Sequence, residues 1–144
     1  MSRMMKPWAL ALLLCSWLHV AAAQDVEPSD MVRGGLQVVQ MIDQNKAGEL
    51  WDGAAAGAKT HVNRADFISQ IAKVRTPLGG ALQRTWVAIN RQVVGNGDAE
   101  LAGQYVSVEY ETRFAGKAPG TRHELVSFHL DNDGVWRFSG YVLR

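Results

Sequence analysis

Histidine has the widest chemical range of the side chains in this sequence, and the copies beyond residue 23 are His61, His123 and His129. His123 and His129 fall on one face of a predicted strand, six residues apart. At ~3.3 Å per residue they stand about 20 Å from each other, too far to share a metal ion. His61 lies at a predicted helix end. The spacing therefore predicts no metal site and no cofactor.

Glu109 and Glu111 form an i, i+2 pair of carboxylates on one face of a predicted strand, about 7 Å apart along the backbone. Paired carboxylates at such a separation can perform acid–base chemistry. The same outward face is predicted to carry Arg113, Arg137 and His129. Cross-strand ion pairs on a solvated surface are therefore favoured over catalysis.

A carboxylate beside a tyrosine hydroxyl in an apolar interior can move a proton, and Tyr110 and Glu124 are the residues that can supply such a pair. Tyr110 falls on the inner face of its predicted strand. In the next strand, Glu124 is an even number of residues from the inward-facing ones and is therefore expected on the same face. Large aromatic side chains elsewhere can line a pocket, although core packing is their commoner role. The candidate ligand-binding residues are Trp51, Trp86, Tyr110 and Glu124.

No catalytic residue is predicted. The sequence lacks a G-x-S-x-G motif, and its glycine-rich stretch "GNGDAELAG" lies between two predicted strands, whereas a phosphate-binding loop opens a helix. The one cysteine, Cys15, lies inside an apolar run near the start of the chain. Nucleophilic catalysis therefore has no support from the sequence.

The first 23 residues have the composition of a secretory signal peptide. "MSRMMK" is basic, "PWALALLLCSWLHV" is apolar, and "AAA" supplies small residues for cleavage after Ala23. The alternative, an uncleaved anchor, is disfavoured because the apolar run is shorter than the ~18 residues of a membrane span. We expect an exported protein, periplasmic or secreted, with a lead-in at 24–29 and one domain at 30–144.

The charge balance excludes some classes of partner. The chain has 15 Lys and Arg against 14 Asp and Glu, and the predicted leader carries two of the basic residues, Arg3 and Lys6, and none of the acidic ones. The remainder therefore has 13 basic and 14 acidic residues, a net charge of −1. A nearly neutral domain has no electrostatic signature for nucleic acid or an anionic membrane.

The chain after the leader divides into a helical half and a strand half, which predicts an α+β fold. Three helices are expected at 29–46, 47–62 and 63–79, with Ser29 and Asn63 as N-caps. Gly34 and Gly35 weaken the first helix by about 1 kcal/mol each relative to Ala, so we expect close packing or a late helix start there.

From residue 81 the hydrophobic period changes to two, and short turns separate strands predicted at 82–94, 104–114, 121–130 and 135–144. Consecutive strands with short connections form an antiparallel meander, with the helices covering one face. Gly140 is expected to mark a bulge or a sharp bend. The residues expected to face the helices are Val106, Val108, Tyr110, Thr112, Phe114, Val126, Phe128, Leu130, Trp136, Phe138, Gly140 and Val142.

The outward face is predicted to carry four apolar or aromatic residues, namely Leu125, Val135, Tyr141 and Leu143. Sheet faces in folds of this kind often form dimers. The sequence therefore predicts a possible homodimer through the outer face of the sheet, and it identifies no other partner.

Three short motifs resemble those of a family of small exported bacterial proteins, domain of unknown function 4019, over residues 30–144. The motifs are "R-x-P-L-G", "Y-x-x-x-x-Y-x-T-x-F-A-x-K" and "D-G-x-W-R-x-x-G-Y-x-x-R". The matching residues are Arg75, Pro77, Leu78 and Gly79; Tyr105, Tyr110, Thr112, Phe114, Ala115 and Lys117; and Asp133, Gly134, Trp136, Arg137, Gly140, Tyr141 and Arg144.

The architecture is also similar to the cone-shaped fold of nuclear transport factor 2, steroid isomerases and polyketide cyclases, in which a curved sheet wraps a helix around a pocket. The closer family implies export and a fold but no activity, since a fold does not carry function with it. We expect a non-catalytic binding or interaction protein. The alternative is a carrier of a small apolar ligand, or an isomerase-like or cyclase-like enzyme, using a cone pocket.

Overall fold

The computed structural model describes residues 26–95, 97–116 and 120–144, so the predicted leader, its cleavage point after Ala23 and the motif residue Lys117 lie outside the described residues. Helices come first and strands follow. The helices are α1 (Pro28–Asp43), α2 (Ala47–Asp52), α3 (Ala56–His61) and α4 (Arg64–Arg75), and a 3-10 turn follows at Thr76–Leu78. The strands are β1 (Ala81–Val94), β2 (Gly103–Phe114), β3 (Thr121–Leu130) and β4 (Trp136–Leu143).

This arrangement confirms the predicted α+β class and the four-stranded antiparallel sheet, whose strands pair in the order β1-β2-β3-β4. The helical layer differs from the expectation in one respect, because two short helices replace the single helix predicted over 47–62. Ala54 and Ala55, which separate α2 from α3, are buried, and the Ala55 N–H donates to the Phe138 carbonyl of β4 at 2.7 Å. That bond to the sheet is incompatible with a continuous helix.

Of the two N-caps predicted from the sequence, one is wrong and one is confirmed. Ser29 was expected to cap α1, but the helix begins at Pro28, and Glu27 in the cap position makes no side-chain bond. Proline fits the first helical turn because its missing N–H would have no partner there. Asn63 caps α4 as predicted, since its side-chain oxygen accepts the N–H of Asp66 at 2.8 Å.

The core lies between α1 and the inner face of the sheet. All five residues predicted to face inward on β2 are buried, as are Val126 and Phe128 on β3. From α1 they meet Met31, Val38, Val39 and Ile42, which form its buried stripe. From Val106 to Phe114, buried positions of β2 alternate with half-buried or exposed ones, which fixes the face that carries the helices.

The last residues of β4 face opposite sides of the sheet from those predicted. The register runs from Ser127 opposite Gly140 directly to Phe128 opposite Phe138, so Ser139 is an extra residue. This irregularity beside Gly140 confirms the predicted bulge, and it reverses the faces of the residues that follow. Tyr141, predicted to face outward, lies opposite the buried Val126 and points inward, whereas Val142, predicted to face inward, is 52% exposed.

Within the described residues, no helix is long and apolar enough to cross a membrane.

The two glycines of α1 generate a matched test of packing. A Cβ on Gly35 would lie 2.5 Å from the Tyr110 hydroxyl oxygen, whereas one on Gly34 would make an ordinary 3.5 Å contact with the Phe128 ring. We expect Gly35→Ala to lower the free energy of unfolding by about 1–2 kcal/mol, because overpacking outweighs the helix-propensity gain.

Gly34→Ala, measured in the same urea titrations, should be neutral or raise the free energy of unfolding by up to about 1 kcal/mol. Equal effects of the two substitutions would contradict the close approach of α1 to β2 at Gly35.

Candidate functional site

Glu124 of β3 is fully buried, at 0% exposure. It faces inward because it lies opposite Tyr110 of β2, on the face that carries the helices. One carboxylate oxygen accepts the Nε–H of Arg84 at 2.7 Å and the hydroxyl of Thr112 at 2.5 Å. The other accepts the hydroxyl of Tyr141 at 2.6 Å. A buried carboxylate is tolerated only with such partners, and this one has hydrogen bonds to both oxygens.

Arg84 of β1 connects Glu124 to the helical layer. Its Nη1 and Nη2 groups donate to the two carboxylate oxygens of Asp43, at the end of α1, at 2.9 and 3.2 Å. The planar guanidinium can donate two hydrogen bonds to one carboxylate in this way, and a lysine ammonium could not reproduce that geometry. A single side chain therefore bridges a strand carboxylate and a helix carboxylate.

Arg75, the last residue of α4, is the second cation. Its Nη2 donates to Asp43 at 2.5 Å, its Nη1 lies 3.5 Å from the other oxygen of Glu124, and its guanidinium carbon is 4.7 Å from the Phe114 ring centre. Two guanidinium and two carboxylate groups thus meet with no net charge. We call Asp43, Arg75, Arg84, Thr112, Glu124 and Tyr141 the polar cluster.

The polar cluster shifts the pKa values of its members. Burial alone would raise the pKa of Asp43, but hydrogen bonds from Arg84 and Arg75 outweigh it and hold that pKa below its ordinary 3.8. Burial opposes the charged form of Arg84 as well, and its two carboxylate partners raise its pKa nevertheless. Burial and the neighbouring Glu124 carboxylate raise the pKa of Tyr141, which keeps its hydroxyl protonated as a donor.

The predicted pair of Tyr110 and Glu124 is adjacent across the strands, but the two side chains bind different partners. The Tyr110 hydroxyl donates to the Val32 carbonyl of α1 at 2.5 Å, and burial raises its pKa to about 12. The Glu124 carboxylate is occupied by the polar cluster. Tyr110 therefore fastens α1 to the sheet.

The two tryptophans predicted to line a pocket lie away from the polar cluster. Trp51 in α2 donates its indole N–H to the Val62 carbonyl at 2.8 Å, and Lys59 lies over its ring. Trp86 on β1 lies opposite Tyr110, but the residue is 49% exposed, and its indole N–H donates to the Ala88 carbonyl of the same strand. The structure thus brings Tyr110 and Glu124 together, places Trp86 at the open edge of the sheet and leaves Trp51 in the helical layer.

A second group of charges fixes the β3–β4 hairpin. His129, predicted to face outward, is buried and contacts Asp131 at 2.7 Å and the Ala102 carbonyl at 2.8 Å. Burial alone would raise the pKa of Asp131, but hydrogen bonds from His129, the Ala56 N–H and Arg137 lower it. These bonds join β3, β4, α3 and the β1–β2 connection, so the group is structural.

On the outer face, Glu109 is ion-paired as predicted, although with other partners. It contacts His123 at 2.9 Å and Arg144 at 3.3 Å. The expected partner Arg137 binds Asp131 and Asp133 instead. Within the parts of the chain that the structure describes, no three His, Cys, Asp or Glu side chains are grouped to hold a metal ion.

Two surface grooves border these charged groups. One, of about 320 Å³, lies between the end of α1 and α4, with Ile42, Ile68 and Ile71 among its apolar lining residues. The other, of about 630 Å³, lies beside the β3–β4 hairpin and is lined largely by charged residues. None of the four candidate ligand-binding residues predicted from the sequence lines either groove.

Sequence reasoning missed the roles of Asp43, Arg75 and Arg84 in the interior. One signal was available for Arg75, because the three motifs that carry the family resemblance supply much of the polar cluster. "R-x-P-L-G" contributes Arg75, the strand motif contributes Thr112 and the Phe114 ring beneath Arg75, and the terminal motif contributes Tyr141. Residues far apart in sequence therefore converge on Glu124.

The fold and this cluster define an α+β protein in which a helical layer is joined to an antiparallel meander by buried ion pairs. Residues 35–141 match the family described as "Protein of unknown function (DUF4019)", and the chain belongs to that family. No curated protein matches the chain.

The polar cluster predicts a large difference between two glutamate substitutions. Glu124→Gln leaves two buried guanidinium groups with one carboxylate, and we expect it to lower the free energy of unfolding by about 3 kcal/mol or more. Glu109→Gln removes a carboxylate from a partly exposed ion pair on the adjacent strand and should cost less than about 1 kcal/mol. Urea titrations at neutral pH measure both values, and comparable losses would refute a structural role for Glu124.

The lowered pKa of Asp43 predicts an acid-sensitive component of stability. Because the folded-state pKa lies below 3.8, the stabilisation is complete above that pH and is lost as the pH falls through the folded value. We expect the stability gap between the wild type and Asp43→Asn to be largest near neutrality and to shrink below pH ~3.8. Asp30→Asn, at an exposed position of α1, controls for the loss of one charge, and a gap that stays constant down to pH ~2 would contradict the prediction.

Proposed function

We propose that this protein is an exported, non-catalytic interaction protein that binds protein partners along the open edge of β1. The basic, apolar and small-residue pattern of residues 1–23 supports export. The two further lines of support are an interior occupied by its own polar groups and an edge strand without cover.

The interior supports a non-catalytic role. A carrier or isomerase-like enzyme with a central pocket requires an acid or base that is free to reach a ligand. Glu124 is 0% exposed and accepts hydrogen bonds on both oxygens, and the Tyr110 hydroxyl is bound to the backbone of α1. These groups hold the layers together, and a ligand could engage them only by breaking those bonds.

The observation that carries the proposal is the contrast between the two edges of the sheet. The backbone of β4 is covered in part, because the Ala55 N–H donates to the Phe138 carbonyl. Strand β1 has 14 residues, and among the described residues its outer edge has no backbone partner. Long uncovered edges are templates for an added strand.

The side chains of β1 reinforce this contrast. Four of its large apolar residues are exposed, with exposed fractions from 45% to 75%: Leu82, Trp86, Val87 and Val93. A row of apolar groups beside unpaired backbone supplies both parts of strand recognition, since the backbone gives affinity and the side chains give specificity.

A photo-crosslinking amino acid placed at Val93 tests the proposal. In cells producing the full chain, we expect irradiation to give a discrete covalent adduct whose mass identifies the bound chain. Val142, a 52% exposed valine on the opposite edge strand, provides the matched control. Equal crosslinking at positions 93 and 142, or none at either, would overturn the proposed use of the β1 edge.

A further inference from the structure

We propose that the partner at this edge is a second copy of the same chain, paired β1 to β1 in antiparallel orientation about a twofold axis between Val87 and Ala88. The inference rests on the proposed use of the β1 edge. It concerns the edge of the sheet, whereas the homodimer through the outer face remains a separate prediction.

The order of apolar and polar residues in β1 is the same in both directions from this axis. Pairing about that axis places apolar residues opposite apolar ones and polar residues opposite polar ones. The facing pairs are Leu82 with Val93, Gln83 with Gln92, Arg84 with Arg91, Thr85 with Asn90 and Trp86 with Ile89. Shifting the register by one residue in either direction sets Trp86 against Asn90 or Ala88, and Leu82 against Val94 or Gln92.

A bulge makes this register consistent with the two faces of the sheet over residues 83–92. A second register shift, between Ala81 and Gln83, makes Leu82 an extra residue that has no partner on β2. A twofold axis perpendicular to a sheet keeps inward residues on the inner side, so facing partners must share a face. Arg84 and Arg91 lie opposite the buried Thr112 and Val106, and therefore both are on the inner side. In a regular strand, residues an odd number of positions apart lie on opposite faces. Arg84 and Arg91 share a face because the register shift between Trp86 and Ala88 inserts Val87 as an extra residue.

One arginine of each facing pair is neutralised by carboxylates, and the other is exposed. Arg84 reaches away from the edge to Glu124 on β3 and to Asp43, within the neutral polar cluster. Arg91 also turns away from the edge, toward Gln104 of β2. Apart from these two arginines, β1 carries apolar and uncharged polar side chains, which favour self-association over repulsion.

A register-specific crosslink tests the inference. In a Cys15→Ser background, which removes the only native cysteine, Thr85→Cys and Asn90→Cys are made as separate variants. Both positions are regularly paired on the outer face of the sheet, opposite Glu111 and Ser107. Facing Cα atoms of an antiparallel pair lie about 4.5–5.5 Å apart, within disulfide range. Under mild oxidation we expect a mixture of the two variants to give a disulfide-linked dimer, and each variant alone to give little.

Sedimentation of the uncrosslinked protein provides an independent readout. We expect the protein to sediment as a dimer. Val93→Lys should raise the dissociation constant of the dimer at least tenfold, whereas Val142→Lys on the opposite edge should leave that constant unchanged. A dimer insensitive to Val93→Lys, or no crosslink in the mixture, would overturn the self-pairing. If the photo-crosslink at position 93 instead identifies a different protein, the proposed function stands and the inference of a second copy fails.

Discussion

The structure depends on keeping the Glu124 carboxylate charged in a place that water does not reach. An unpaired ion there would cost several kcal/mol, so the fold is viable only while Arg84 stays bonded to it and Arg75 stays close. Those two arginines also hold Asp43 at the end of α1. The requirement to neutralise one buried acid therefore fixes the position of α1, the end of α4 and strand β1 at the same time.

Two further contacts show how the polar cluster and the apolar core support each other. Tyr110 binds the α1 backbone where Gly35 leaves room for its ring, and Phe114 lies beneath the Arg75 guanidinium. Because the cluster is neutral and both of its carboxylates accept hydrogen bonds on each oxygen, it is suited to stabilising one arrangement of layers.

The sequence predicted those parts of the fold that depend on local pattern. Alternation in β2 identified all its buried residues, the Asn63 cap was read correctly, and Gly140 marked the bulge. Non-local contacts escaped prediction. The bulge turned Tyr141 inward, the bond from Ala55 to β4 divided a predicted helix, and no periodicity reveals that Arg84 meets Asp43 across the layers.

Ion pairs between the layers hold the helices on the sheet, and a double-mutant cycle on Asp43 and Arg84 measures their contribution. The free energies of unfolding of Asp43→Asn, Arg84→Met and the double variant, compared with the wild type, give the coupling between a helix residue and a strand residue. We expect a coupling of about 1.5 kcal/mol or more. Additive effects, to within about 0.5 kcal/mol, would contradict it.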